Sequence, residues 1–390
     1  MRKGVLLITL LASSLYSAWL YSPSVANGFS SCRQGSTGPA SIREASRGFV
    51  VDRIKFVNKK NLWAVAHFAK PKTVFEFGSA ILRSTDRGQS WETQLTDRER
   101  YFGDICFVNQ QVGWICGDGG LLLKSTDGGK SWGRQDTRTE SDLRDIQFIG
   151  AEIGWAMSPD GEVLRTTDGG QHWSLHGFEL DGYVLHILRF VDSRNGWIAG
   201  EKGHAYESTD GGVTWKSRGD ELLSMVESSR KRHPYFTDIE FITPAVGFIA
   251  ARLFPKAEFY DDKDAPCCKA VIFKTENGGR SWSVLFQEEG KLLRRANFLS
   301  EQEFRIDLGD DDIRHTTDGG KSWISVPTPK GLSIMQFLDR NNGIGTRSNG
   351  TSNTGMYYTN DGGRNWKMSK LPSISEGADS PVQNPSKNLP

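Results

Sequence analysis

Seven times along the chain an apolar residue, a mostly polar residue, a phenylalanine and a further apolar residue follow one another. The phenylalanines are Phe56, Phe107, Phe148, Phe190, Phe241, Phe298 and Phe337, each followed by Val, Ile or Leu. Two residues before them stand Ile54, Ile105, Ile146, Leu188, Ile239, Ala296 and Met335, with Lys55, Gln147, Arg189, Glu240, Asn297 and Gln336 among the residues between. Apolar, polar, apolar is the alternation of a half-buried strand. Seven residues after the first five phenylalanines comes another aromatic: Trp63, Trp114, Trp155, Trp197 or Phe248. Glycine precedes four of these five, which predicts a glycine-containing hairpin turn there. Arg305 and Ile344 hold the equivalent place in the sixth and seventh copies.

A second motif keeps step with the first. Ser/Thr-x-Asp-x-Gly-x-x-Trp occurs seven times if one Asn is allowed, with the acidic position at Asp86, Asp127, Asp168, Asp210, Asn277, Asp318 and Asp361. Successive separations are 41, 41, 42, 67, 41 and 43 residues, a period that marks a repeat architecture. Each unit reads as four strands. Strand a carries the Phe, b the aromatic, c runs into the box, and d begins at the box Trp. Four-stranded units of this length repeated radially are propeller blades. The expected fold is therefore an all-β, seven-bladed β-propeller of four-stranded antiparallel blades over residues 48–371. In the box, the Asp carboxylate suits a turn that binds backbone N–H groups, Gly supplies a left-handed conformation, and Trp packs into the blade stack. Seven radially dispersed copies cannot converge on one catalytic or metal site, so these residues read as structural.

Spacing locates a candidate working face. From the strand-a Phe to the box Asp or Asn the distances are 30, 20, 20, 20, 36, 20 and 24 residues, so blades one, five and seven carry extra chain between strands b and c. From box to next Phe they are 21, 21, 22, 31, 21 and 19, placing one more insertion between blades four and five. In an up-and-down blade, b–c and d–a connections share one face, and long connections on a rigid scaffold are where binding usually resides. The d–a insertion, residues 216–237, holds Arg230, Lys231, Arg232 and His233, then Tyr235 and Phe236; the blade-five b–c insertion holds Asp261, Asp262 and Asp264. These opposite-signed stretches either face a partner, pair with each other or are merely solvated. Four residues before each Phe stand Asp52, Gly103, Arg144, His186, Thr237, Arg294 and Ser333, with Tyr101, Tyr183 and Tyr235 close by. That ring suits a carboxylate or a peptide, or else a water-filled channel mouth. The candidate partner-binding residues are thus Arg144, Arg230, Lys231, Arg232, Tyr235, Phe236 and Arg294.

Composition narrows the function. The 390 residues hold 48 Lys and Arg against 47 Asp and Glu, which argues against a nucleic-acid partner. Twelve Trp and 21 Phe are too many for a disordered chain, and 43 Gly fit short strands joined by tight turns. Met1 to Lys3 is a basic start, Gly4 to Leu20 is apolar, and Ser24 and Ala26 suit a cut after Ala26. Residues 1–26 therefore read as a secretory signal, with an uncleaved membrane anchor as the alternative. A linker, 27–47, precedes the propeller, and the Ser-, Pro- and Asn-rich tail, 372–390, is expected to be disordered. Cys106 and Cys116 should point to opposite faces of their hairpin, and Cys267 adjoins Cys268. No Cys/His spacing of a metal site occurs, the seven His are scattered, and Asp310 to Asp312 read as a solvated turn in blade six. No metal or cofactor is expected.

Copies such as Gly113-Trp114-Ile115-Cys116-Gly117, Leu122 to Trp132 and Gly196-Trp197-Ile198-Ala199-Gly200 resemble the photosystem II stability/assembly factor family. The resemblance spans all seven blades, is strongest in two to four and fades at six. It implies a seven-bladed Asp-box propeller, exported by a signal peptide to the periplasm or thylakoid lumen. It also implies a scaffold, not an enzyme, that helps a newly made membrane subunit assemble, so the expected partner is a membrane-protein subunit or peptide segment. A monomer is expected. The long b–c insertions and the basic d–a insertion depart from the family pattern. The rival class is a sialidase-like glycoside hydrolase, or a carbohydrate-binding or adhesion propeller. Sialidases, however, carry a Phe/Tyr-Arg-Ile-Pro motif ahead of the first box. Here the nearest match is Phe304-Arg305-Ile306-Asp307, after five boxes.

Overall fold

Seven four-stranded antiparallel sheets make up the computed structural model, each formed by four strands consecutive in sequence. It describes residues 49–69, 77–178, 180, 183–226, 232–255, 268–309, 311–348 and 354–372. The signal, the linker and most of the tail lie outside these residues, as do Arg230, Lys231 and Cys267. The inner strands are Phe49–Phe56, Phe102–Phe107, Asp145–Ile149, Leu185–Phe190, Arg232–Phe241, Arg295–Phe298 and Leu332–Phe337. Each touches the next, and the seventh touches the first, closing the ring of a seven-bladed propeller.

The two sequence motifs meet between blades. The strand-b aromatic of one blade lies flat on the strand-a Phe of the next: Trp114 on Phe148 at 3.5 Å between centroids, Trp155 on Phe190 at 3.7 Å, and Phe248 on Phe298 at 4.3 Å. The box Trp of that next blade stands edge-on to the same Phe, as Trp173 does to Phe148 at 88° and Trp366 to Phe337 at 82°. Offset-stacked and edge-on rings are the favoured arrangements for such pairs. Arg305, the exception in the pattern, keeps the stack by another chemistry: its guanidinium lies 3.9 Å above Phe337, and Nη2 donates to the Arg340 carbonyl at 2.9 Å. Burial lowers its pKa to about 10.

The glycine before the strand-b aromatic does not serve a hairpin turn. A Cβ at Gly113, Gly196 or Gly247 would stand 2.5–2.6 Å from the ring of Phe107, Phe190 or Phe241 in the same blade, so glycine is there to admit the ring. The turn itself is built by a side chain two residues after the Phe. Asn58, Asn109, Asp192, Thr243, Ser300 and Asp339 each accept two backbone N–H groups, for example those of Gln111 and Val112 on Asn109 at 2.8 and 2.9 Å.

The boxes are c–d turns, as expected. In box two, Asp127 accepts from the Lys130 and Ser131 amides, both at 3.0 Å, and from the Ser131 and Ser125 hydroxyls at 2.6 and 2.9 Å. The second box glycine, Gly129 at φ 80°, donates its N–H to Ser125 Oγ. In each blade the first residue of the glycine pair (Arg87 in box one) donates to a carbonyl of the a–b turn, as Gly128 does to Gln111 at 2.8 Å. The ring closes without strand exchange. At the last seam Lys370 donates to the Gln89 carbonyl and accepts from Trp91 N at 2.8 and 3.0 Å, and Ser369 Oγ donates to the Gly88 carbonyl at 2.6 Å.

Candidate partner-binding face

The insertions lengthen hairpins. Strands b and c are Leu62–Ala69 and Phe77–Ser84 in blade one, Gly247–Pro255 and Lys269–Thr275 in blade five, and Gly343–Ser348 and Thr354–Thr359 in blade seven. In the other blades they run to 4 or 5 residues. The d–a insertion does not stay a loop either. It forms a short helix, Gly219–Ser224, whose Leu222 is buried with Val226 in the blade-five core, and then the strand Arg232–Phe241.

This rewrites the roles of several predicted residues. Phe236 is 0% exposed and belongs to that core, so it offers nothing to a partner. Arg232 is 7% exposed; its Nη2 meets Glu289 at 2.8 Å, and Lys269 Nζ meets the same carboxylate at 3.2 Å. Glu289, at the end of the outer strand Ser283–Glu289, thereby ties the root of the d–a insertion to the return strand of the b–c insertion. Arg144 is held between two carboxylates, Asp118 at 2.6 Å and Asp142 at 2.9 Å. Arg294 is exposed and lies against Gly309. Asp311 and Asp312 are not simply solvated: Asp311 accepts from Gly331 N at 2.7 Å, and Asp312 binds Lys291 at 2.6 Å and Arg314 at 2.8 Å.

Tyr235 is half-buried, beside His186 of the predicted ring and beside Arg252, which sequence reasoning missed. In the inner strands of blades one, two, four and five the register slips at Asp52, Gly103, His186 and Thr237, four members of the predicted ring. Bulges re-aim side chains. His186 stacks on Tyr235 at 4.7 Å and donates Nε2–H to the Phe236 carbonyl at 2.8 Å. Burial lowers its pKa to about 4, so it is neutral at pH 7. Arg252 also lies against Tyr235, 4.4 Å from the ring centroid. Glu201 pairs with Tyr235 through the backbone and brings a second stack alongside: Lys202 lies 4.4 Å over Tyr183, and Tyr183 lies 4.2 Å from His204. Lys202 sits at φ 51°, which the Glu201-Lys202-Gly203 hairpin turn requires. Burial raises the Glu201 pKa against the pull of Lys202 and Arg252. The short Glu-Lys-Gly turn was the sequence signal for this cluster.

Between neighbouring blades the inner strands carry ion pairs. Lys55 meets Asp104 at 3.1 Å, and Arg189 meets Asp145 at 3.1 Å while Asp145 also accepts from Leu188 N at 3.0 Å. Burial raises the Asp104 pKa. For Asp145 burial works in the same direction, but Arg189, Arg53 and Lys55 outweigh it and hold the carboxyl well below its usual range. Cys106 pairs across the sheet with Trp114 and Cys116 with Asp104, and both are free thiols; burial pushes Cys106 up to about 11.

Residues 52–138 match the family model described as photosynthesis system II assembly factor YCF48. The chain resembles the YCF48 assembly factors. A structure of YCF48 bound to a D1 peptide superposes with a TM-score of 0.54 at 17% identity, over 81% of this chain and 92% of that one. YCF48 from Cyanidioschyzon merolae gives 0.53 at 16% identity, over 82% and 95%. At these identities the likeness to the YCF48 structures establishes the fold. A xyloglucanase from Xanthomonas campestris aligns at 0.49, 14% identical over 69% of this chain and 45% of its own. No curated protein sequence matches the chain.

Proposed function

We propose that this protein is a non-catalytic, extracytoplasmic assembly scaffold whose insertion face binds a segment of a membrane-protein client. The observation that carries the reading is the pair of cation–aromatic stacks, Arg252–Tyr235–His186 and Lys202–Tyr183–His204, on a propeller that resembles YCF48. A YCF48 structure holds a D1 peptide, so an extended peptide is the client chemistry we assign here. Two cations beside flat rings suit a peptide with carboxylates and apolar side chains, and a rigid ring holds them in place at little ordering cost. The apolar run Gly4 to Leu20 and the small residues after it support export.

The test is a titration of the full chain with a labelled D1 peptide at low and high salt. Arg252→Glu and Lys202→Glu are each expected to weaken binding about tenfold or more, and salt to weaken it further. Lys321→Glu and Arg364→Glu, exposed in the box turns of the opposite face, should leave it unchanged. Equal losses from the two faces would overturn the site. Hydrolysis of a glycoside panel, abolished by one carboxylate change, would overturn the non-catalytic reading.

A further inference from the structure

Six boxes place a glycine directly after the acidic position, at φ 72–82°, and box one places Arg87 there, at φ 64°. A left-handed arginine carries a backbone cost that glycine avoids, and such outliers concentrate where the side chain has a task. Arg87 is exposed, and its neighbours are cations. Its N–H donates to the Lys60 carbonyl at 3.1 Å, which sets the Lys59-Lys60 turn of blade one beside box one. Across the closing seam, Lys370 donates its N–H to the Gln89 carbonyl at 2.8 Å. Arg364 stands in box seven, and Lys367 opens the outer strand Lys367–Met368 of that blade.

The excess of charge is particular to this sector of the box face. In blades seven and one, the five residues after the strand-a Phe and the run from the box Ser or Thr to nine residues past the acidic position hold seven cations and four carboxylates. The same stretches of blades two, three, five and six hold no more cations than carboxylates. Blade four has an excess of one, and its Arg218 is spent on Glu207 and Glu221. All seven cations of the sector are exposed, the seventh being Arg340, which meets Glu303 at 3.2 Å. Of the carboxylates, Asp86, Asp339 and Asp361 are bonded within their own turns, and Glu92 lies across the hairpin from Arg83. Arg87 adds to the hydrogen bonds from Asn342 and Asn341 that, against burial, keep the Asp339 pKa low. Apolar side chains stand beside these cations. Met368, 64% exposed, lies between Lys367 and Lys370, and Ile324, 62% exposed, follows the exposed Lys321 in blade six.

We propose that the box face of blades seven and one docks on an anionic lipid bilayer, its cations against the headgroup phosphates and Met368 entering the interface. Boxes and a–b turns keep one length from blade to blade, so the cations stand on a level rim. Dispersed cations with lone apolar side chains on a level rim suit a bilayer surface, whereas an acidic peptide is held in a groove or on a sheet edge. The rim is on the face opposite the insertions, so this site and the peptide site proposed above stand or fall separately.

The experiment sediments the full chain with vesicles of phosphatidylcholine, or of an equimolar mixture of phosphatidylcholine and phosphatidylglycerol. Binding is read as the gain from phosphatidylglycerol, which subtracts any insertion of the apolar run Gly4 to Leu20. The gain is expected to shrink with salt. Arg87→Gly gives box one the residue the other six use, and together with Lys59→Gln and Lys60→Gln it should lower the gain about tenfold or more. Lys130→Gln, Lys216→Gln and Arg280→Gln together remove the same charge elsewhere on this face and should lower it far less. Met368→Ser should weaken the binding that persists in salt. Binding of the D1 peptide should be unchanged in all three proteins. No gain from phosphatidylglycerol, or equal losses from the two triple variants, would overturn the proposal. Salt-sensitive binding to polyglutamate without binding to the vesicles would also overturn it, and would assign the rim to an acidic protein.

Discussion

At the level of single residues, the boxes make the molecule acid-sensitive in a defined way. Hydrogen bonds from Ser131 and Ser322 hold Asp127 and Asp318 at about 2. A carboxylate whose folded pKa is depressed adds stability above its unfolded value, near 4, and that stability is lost as pH falls through the folded value. Stability should therefore fall between about pH 4 and pH 2. Box five supplies the control: Asn277 keeps the Ser281 amide bond at 3.0 Å but donates Nδ2 to Ser281 Oγ at 2.8 Å, and it does not titrate. Asp127→Asn should fold at neutral pH and flatten the acid branch of the stability curve, whereas Asn277→Asp should steepen it; urea midpoints measured across pH check both. The box roles were legible from composition because Asp, Gly and Trp each suit one task in such a turn. Whether a given Arg or Phe faces a partner was not legible, since the burial of Phe236 and the Arg232–Glu289 pair depend on strands that extend beyond the repeat.

The elements repeat the lesson at larger size. Periodicity placed the inner strands and the insertions, because strand b of a blade has to cover the next blade's Phe, with an aromatic laid flat on it in four blades. It could not show that extra chain would become longer strands, since pairing is decided by the partner strand and not by the inserted sequence alone. The stacks give two predictions. Trp155 is fully buried and donates Nε1–H to the Gly211 carbonyl at 2.8 Å, so Trp155→Ala should cost about 3–5 kcal/mol in denaturant unfolding. Arg305→Trp replaces a 2%-exposed cation that has two unpartnered nitrogens by the ring used in four other blades, and should be neutral to about 2 kcal/mol stabilising. A loss as large as that of Arg305→Ala would show that the guanidinium bond to Arg340 matters more than the stack. Charge reversal separates the two kinds of arginine in blade five. Arg232→Glu faces Glu289 and should lower the melting temperature, whereas Arg252→Glu should leave it nearly unchanged and act on peptide binding.

For the whole molecule the decisive feature is how the ring closes. Every blade is contiguous in sequence, so the seventh seam has no exchanged strand and must be held by the same kind of contact as the other six. There, Ile344 and Met356 pack with Phe49, Ile54 and Trp91, and residues 369 and 370 bond to the turn of box one. Gly88, at φ 82°, has the Ile344 side chain directly over it, so a side chain at that position would strain the backbone and push on the seam together. Lys370→Pro removes the N–H that reaches the Gln89 carbonyl and leaves that acceptor without it, which should cost about 1–3 kcal/mol. Because the inner-strand contacts among the described residues run between neighbouring blades, the loss should begin locally. Amide exchange should rise first at Trp91 and Ser369, with blades three and four keeping their protection until global unfolding. Uniform loss across all seven blades would mean that the ring opens as one unit. Unchanged exchange at Trp91 would mean that apolar packing around Ile344 closes the ring by itself.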